Sequence, residues 1–133
     1  MRLLRAIAGY AVLATVGLIL AGCASVQVTT KTPKRSLEIG MASYYAHKFQ
    51  WRATASGEIY DENRLTAAHP LLPFGTLVRV TNLGNHRSVV LKVNDRGPTS
   101  NSRIIDVSFI AAQQLDFVQE GIAKVSVEAV ERD

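Results

Sequence analysis

Hydrophobic and polar positions divide the chain into three stretches. Ala6 to Ala21 is an almost unbroken apolar run behind the positive head formed by Met1, Arg2 and Arg5. Ala24 to about Glu38 is Ser, Thr, Gln, Lys and Pro with few large apolar side chains, and from Ile39 to Asp133 apolar residues recur in short groups. A positively headed apolar segment too short to span a bilayer comfortably reads as a signal peptide. The polar stretch buries too little apolar surface to offset the entropy of ordering it, and reads as a tether. The expected organisation is therefore a signal peptide over 1–22, a tether over 23–38 and one folded unit over 39–133.

Strand signals dominate the folded unit. Thr76 to Asn82 and Ser88 to Asn94 are rich in β-branched residues, and Leu83-Gly84-Asn85-His86-Arg87 between them supplies Gly/Asn turn chemistry, so a hairpin is predicted. In Ala123 to Val130, Val125, Val127 and Ala129 alternate with Lys124, Ser126 and Glu128, the period of a half-buried strand. One short helix is predicted where Ser108 can cap, Phe109, Ala112 and Gln113 through Leu115 fall at helical spacing, and Gly121 marks a turn after the end. Short strands, Gly/Pro loops and one helix indicate an all-β barrel with small helical insertions.

Length and composition agree with a single unit: 133 residues, 47% hydrophobic and 20% charged, hold one compact domain. The net charge of +4 is spread along the chain, with Arg2 and Arg5 supplying two of the positives. No basic run gathers it into a nucleic-acid footprint, so nucleic acid is not an expected partner. The lone cysteine rules out an intramolecular disulfide. It follows Leu20-Ala21-Gly22, and Leu20-Ala21-Gly22-Cys23 resembles a bacterial lipobox. That resemblance implies lipidation at Cys23, with several acyl chains giving stable membrane anchoring. Ala24, in place of Asp, fits sorting to the outer membrane, facing the periplasm. His47, His69 and His86 lack ligand spacing, so no metal is expected.

Two polar clusters could carry chemistry. The first runs Thr54-Ala55-Ser56-Gly57-Glu58-Ile59-Tyr60-Asp61 and continues at Leu65-Thr66-Ala67-Ala68-His69, concentrating carboxylates, hydroxyls and an imidazole in segments unsuited to a core. Taken alone, Glu58 and Asp61 read equally as solvated loop acids, and His69 as a structural histidine. The second is Val93-Asn94-Asp95-Arg96-Gly97-Pro98. Strand alternation puts Asp95 on the face of Val89, Leu91 and Val93, at the apolar edge, where a carboxyl kept protonated could serve as a general acid. Pairing of Asp95 with Arg96, or capping of the Gly97-Pro98 turn, is the alternative. Asp106 in Arg103-Ile104-Ile105-Asp106 reads as a site residue or as a cap for the following helix.

Taken together, Gly40-Met41-Ala42-Ser43-Tyr44-Tyr45, Thr54-Ala55-Ser56-Gly57-Glu58, Leu65-Thr66-Ala67-Ala68-His69, Leu72-Pro73-Phe74-Gly75-Thr76, Val80-Thr81-Asn82, Val93-Asn94-Asp95-Arg96-Gly97-Pro98 and Arg103-Ile104-Ile105-Asp106 resemble the RlpA family over nearly the whole folded unit. The resemblance implies a mainly β fold: a six-stranded double-psi β-barrel with one or two short helices, shared with expansin and barwin-like domains. It sits behind the lipoprotein signal peptide and flexible tether. The implied activity is lytic cleavage, without water, of the β-1,4 bond between N-acetylmuramic acid (MurNAc) and N-acetylglucosamine (GlcNAc) in peptidoglycan. The products carry 1,6-anhydro ends, strands stripped of stem peptides are preferred, and no cofactor is implied.

Carried over by motif, Asp95, Glu58 and His69 form the implied catalytic set, with Asp95 as the acid and the division of roles between the other two left open. Tyr44, Tyr45, Thr54, Asp61, Arg96 and Asp106 are implied to bind the glycan. Where the family commonly has Ser-Trp-Tyr-Gly this chain has Ser43-Tyr44-Tyr45-Ala46, which keeps an aromatic platform for a sugar ring. Thr99 stands where an apolar aromatic is common. Many relatives carry a C-terminal SPOR domain; the expectation here is of no SPOR domain and no septal targeting by one. The expected partners are thus peptidoglycan glycan strands and, through Cys23, a membrane. Two rival readings are a non-catalytic, expansin-like glycan-binding or wall-loosening module and a structural lipoprotein linking envelope layers. The acids favour the enzyme, because a binder needs no perturbed carboxyl.

Overall fold

The computed structural model describes Gly22 and residues 36–130; the rest of the predicted signal peptide, Cys23 and most of the tether lie outside the described residues. Six strands close into a barrel: β1 (Leu37–Tyr44), β2 (Thr66–Ala68), β3 (Leu77–Asn82), β4 (Ser88–Asp95), β5 (Arg103–Val107) and β6 (Ile122–Ala129), in spatial order β1-β5-β2-β4-β3-β6. The pairs β1/β5 and β2/β4 are parallel and the other four antiparallel. A 3-10 turn at His47–Phe49 and one helix, α1 (Phe109–Leu115), complete the described elements.

The predicted hairpin is β3–β4, with Val80 opposite Val89 and Val78 opposite Leu91. The predicted last strand is β6, its Val125 and Val127 turned inward. The first strand begins at Leu37, two residues before the expected start of the folded unit. Leu37 and Ile39 both remain exposed, so the apolar pattern there does not mark the core face. Gly40 fits because β1 passes close to β5: a Cβ there would lie 2.6 Å from the Ile104 side chain.

The barrel interior holds Val78, Val80, Leu91, Val93, Ile105, Val107, Val125 and Val127, each contributing about 1.5–3 kcal/mol by leaving water. Seven residues are too few for a helix stable in isolation. Burial of Ala111, Ala112 and Leu115 against the core holds α1 in place. Its predicted cap differs in detail. Ser108 occupies the N-cap position, yet its side chain makes no capping bond and its Oγ has no hydrogen-bond partner among the described residues. The free amides at that end are satisfied from the long β1–β2 connection instead: Phe109 N–H donates to the Tyr60 hydroxyl and Ile110 N–H to the Glu62 carbonyl. Asp116, in the left-handed conformation at φ 57°, ends the helix, while Gly121 at φ 75° serves the next turn.

One irregularity positions the candidate site. Across β2 and β4, Ala67 faces Val93 but Ala68 faces Asp95, so Asn94 is an extra residue on β4. Such a slip re-aims the side chains beyond it. Asn94, not Asp95, takes the buried place after Val93, and Asp95 emerges half-buried at the barrel end.

Candidate active site

The β1–β2 connection doubles back across this end. Trp51 N–H donates to the Tyr60 carbonyl, Tyr60 N–H to that of Arg52, and Thr54 N–H to that of Glu58. The Thr54–Glu58 loop closes around Gly57, whose φ of 90° suits a residue without a Cβ. Thr54 Oγ1 bonds the Glu58 carbonyl at 2.7 Å and Ser56 Oγ at 3.0 Å. Thr54 is thus built into the loop and half-buried in it. Ser56 N–H reaches the Asn94 carbonyl, docking the loop on β4.

Three donors converge on Asp95. Tyr45 O–H reaches Oδ2 at 2.5 Å, while the amides of Ala55 and Arg96 reach Oδ1 at 2.8 and 2.9 Å. Tyr45 is itself held by its ring, stacked on Tyr60 at 4.5 Å and edge-on to Phe49 at 6.0 Å. Burial first, then the bond to Asp95 and the nearby negative charge, push the Tyr45 hydroxyl well above the usual phenol range. Tyr45 therefore keeps its proton and acts as a donor. Asp95, Tyr45, Phe49, Arg52, Thr54 and Tyr60 line one open depression.

Glu58 lies in a neighbouring depression with Asp61, Arg64, Lys92 and Asn94. Its carboxylate accepts from Lys92 Nζ at 2.9 Å and from Asn94 Nδ2 at 3.3 Å. The Lys92 bond, then the Asn94 bond, hold Glu58 below the usual carboxylate range, so it is an anion at neutral pH. Asp61 accepts from Gln50 Nε2 at 3.4 Å and Asn63 N–H at 3.0 Å. Consecutive residues of β4, Asn94 and Asp95, thus serve the two depressions, as do Glu58 and Thr54 of the loop. A larger depression, about 440 Å³ against 260 and 250 Å³, lies by the β3–β4 turn. It contains none of the predicted residues, and Asn82 and Asn85 there direct their amides to the Leu115 carbonyl.

His69 is placed differently from a proton carrier. Its side chain is buried, and Nδ1 accepts the amides of Leu71 and Leu72, both at 3.1 Å. The ring proton therefore belongs on Nε2, which faces Glu38 Oε2 at 3.2 Å. Both nitrogens are engaged away from the Asp95 carboxylate. The turn that His69 shapes holds Arg96: its guanidinium donates to the carbonyls of Leu72 at 2.8 Å and His69 at 3.3 Å, over the Phe74 ring at 4.0 Å. Arg96 in turn gives its amide to Asp95. The side-chain pairing of Asp95 with Arg96 considered from sequence is not formed.

Two other predicted residues stand apart. Tyr44 donates to the Val118 carbonyl and packs edge-on against Phe109 and Phe117, so its ring is part of the fold. Of the predicted aromatic pair, Tyr45 alone reaches the Asp95 depression. Asp106 does not cap the helix; it accepts from Ser43 Oγ at 2.6 Å and Arg103 at 2.5 Å, and Arg103 also bonds Ser43. Sequence reasoning passed over Tyr60, Lys92 and the Ala55 amide, whose roles come from loop closure. Asn94 was already inside the Val93–Pro98 motif.

Residues 37–127 match the family model DPBB_1, described as lytic transglycolase. The chain is 56% identical over 88 residues to a protein of Treponema pallidum named probable endolytic peptidoglycan transglycosylase RlpA, covering 66% of this chain and 28% of that protein. It is 50% identical over 93 residues to endolytic peptidoglycan transglycosylase RlpA of Pseudomonas aeruginosa, covering 70% and 27%. With the protein of that name from Neisseria meningitidis it shares 50% over 103 residues, covering 74% and 43%. The matched part thus spans less than half of each relative. Among solved structures, a Clavibacter michiganensis expansin superposes with a TM-score of 0.59 at 20% identity, covering 74% of this chain and 52% of that one. The Streptomyces papain inhibitor superposes at 0.58 and 23%, covering 72% and 96%. These two show the barrel fold, and the family match and the sequence identities show that the chain belongs to the RlpA family of lytic-transglycolase barrels.

Proposed function

We propose that the protein is a lytic transglycosylase that cleaves the MurNAc–GlcNAc β-1,4 bond of peptidoglycan, acting on strands freed of stem peptides. The observation that carries this reading is the Asp95 carboxyl, held by Tyr45, Ala55 and Arg96 in an open depression beside an ionised Glu58. Two carboxyl groups in different electrostatic settings can divide acid and charge-stabilising work.

In this mechanism Asp95 takes up a proton on Oδ2 before the chemistry and gives it to the glycosidic oxygen as the bond from that oxygen to C1 of MurNAc breaks. The C6 hydroxyl of the same sugar then bonds to C1 and returns its proton to Asp95. Proton inventory closes without water, and the product end is the 1,6-anhydro sugar. Oδ2 has a single donor, Tyr45, and so retains room for the travelling proton. Glu58, fixed by Lys92 and Asn94, supplies negative charge against the positive character that C1 develops. His69 is a positioning residue: through the Leu71–Leu72 turn it holds Arg96, and through Arg96 the Asp95 carboxyl. Asp61 lines the depression of Glu58 and Thr54 that of Asp95.

The lipobox-like Leu20-Ala21-Gly22-Cys23 supports anchoring at Cys23, with the barrel facing the periplasm from the outer membrane on a tether. The full chain in detergent, incubated with peptide-free glycan strands, is expected to release fragments with 1,6-anhydro ends by mass spectrometry. Asp95→Asn is expected to abolish them while the fold persists. Intact strands with the folded wild-type protein would replace this reading with that of a binding module.

A further inference from the structure

Three cations near Asp95 and Glu58 already have partners. Lys92 lies on Glu58, Arg96 on two carbonyls, and Arg103 on Asp106 and Ser43. Arg52 is the exception in the depression that holds Asp95. It lines that depression, is exposed, and makes no ion pair with any described residue. Its backbone is fixed on both sides, the amide donating to the Phe49 carbonyl and the carbonyl accepting from Tyr60. Its guanidinium lies 5.7 Å from the centre of the Phe49 ring, the ring that also borders Tyr45. A guanidinium so placed is presented, on a rigid backbone, to whatever enters beside Asp95.

We infer that Arg52 is a specificity residue that binds the free carboxylate of the lactyl ether on the MurNAc unit whose C1 reacts. The inference rests on the transglycosylase reading for the identity of the sugar. The lactyl group sits on C3 of the ring attacked at C1, so it enters the same depression as the proton donor. In peptide-bearing strands that carboxyl is a neutral amide; in stripped strands it is an anion, matching the forked donors of a guanidinium. Arg52 thereby gives a physical basis for selecting strands without stem peptides. Arg64 is the weaker candidate because it shares its depression with Glu58, apart from Asp95.

The test compares the full-length wild type with Arg52→Gln, Arg52→Lys and, as a distant charge-matched control, Arg87→Gln in the β3–β4 turn. Each acts on peptide-free strands and on the same strands with their lactyl carboxyls converted to methylamides. The wild type is expected to favour free acid over amide roughly tenfold to a hundredfold in kcat/KM, mainly through KM, the range for a charge-assisted pair. Arg52→Gln loses that factor on the acid and nothing on the amide, Arg52→Lys keeps part of it, and Arg87→Gln behaves as wild type. Equal losses on both substrates, or an Arg52→Gln protein that retains the preference, would overturn the inference. Should the wild type release no anhydro ends, the transglycosylase reading fails separately, and equilibrium binding of the same two strands decides Arg52: a preference abolished in Arg52→Gln supports the role, and its absence from the wild type refutes it.

Discussion

Replacing His69 by alanine and, separately, by asparagine distinguishes a structural hydrogen-bond acceptor from a proton carrier. In His69→Ala the amides of Leu71 and Leu72 lose the Nδ1 acceptor, and a buried ring leaves a void. Because those amides are only partly buried, their loss costs about 2 kcal/mol together, near the low end for unsatisfied donors. The emptied volume adds about 1–3 kcal/mol, toward the lower part of the range for large-to-small core changes. A total of roughly 3–5 kcal/mol is a large share of the ~5–15 kcal/mol typical of a domain. In His69→Asn the amide oxygen falls near the position of Nδ1 and can accept both amides, so the loss shrinks to roughly 1–2 kcal/mol from the Glu38 contact and reduced packing. Urea unfolding, paired with turnover at a temperature where every variant is folded, is the assay. Turnover is expected to follow stability: severe loss for alanine, and retention within about tenfold for asparagine, since Arg96 and Asp95 keep their places. An asparagine variant of near-native stability with turnover reduced about a thousandfold would show that the imidazole itself moves a proton, refuting the positioning role.

Tyr45→Phe keeps the ring stacked on Tyr60 but removes the donor to Asp95; turnover should fall roughly tenfold to a hundredfold, the value of a charged hydrogen bond, with little change in melting temperature. Unchanged turnover would separate Tyr45 from the chemistry. Glu58→Gln should alter stability by less than about 1 kcal/mol, because the Lys92–Glu58 pair is well exposed, while strongly lowering turnover. Since folding lowers the Glu58 value, its ionic contribution is complete above the ordinary carboxylate range and fades as pH falls through the lowered folded value. Unfolding curves of wild type and variant should therefore converge in acid, and divergence there would contradict the assignment. Trp51 is 69% exposed at φ 67°, a conformation costing a side-chain-bearing residue about 1–2 kcal/mol, partly offset by the backbone entropy a glycine loses. Trp51→Gly should be neutral or stabilising by up to ~1 kcal/mol in thermal unfolding; clear destabilisation would reveal packing by the indole.

The elements that were legible in sequence are those with one wet face and a strong turn. The β3–β4 hairpin announced itself through β-branched alternation around Gly84-Asn85, and β6 through Val125, Val127 and their charged neighbours. The short β2 strand had no such signature, because Thr66, Ala67 and Ala68 are all buried and nothing alternates. In β1 the exposed Leu37 and Ile39 obscured the inward face, while Gly40 serves the close approach of Ile104. At the site, motif resemblance located Asp95, Glu58 and His69 in one region, but alternation alone misplaced Asp95, because the slip at Asn94 changes which residue is buried. Nor does spacing along the chain reveal that Tyr45 reaches Asp95 across 50 positions, or that His69 accepts from the two amides just after it. The first contact exists only once the barrel has brought the end of β1 beside the end of β4, and the second is a local turn that no hydrophobic period marks.

In the proposed mechanism the C6 hydroxyl of the substrate, not water, attacks C1. Digestion of peptide-free strands by the full chain in heavy-oxygen water, with product ends weighed by mass spectrometry, separates the two nucleophiles. Attack by the C6 hydroxyl gives ends lighter by one water than hydrolytic ends, carrying no solvent oxygen and absent with Asp95→Asn. Reducing ends that incorporate the heavy oxygen would contradict it.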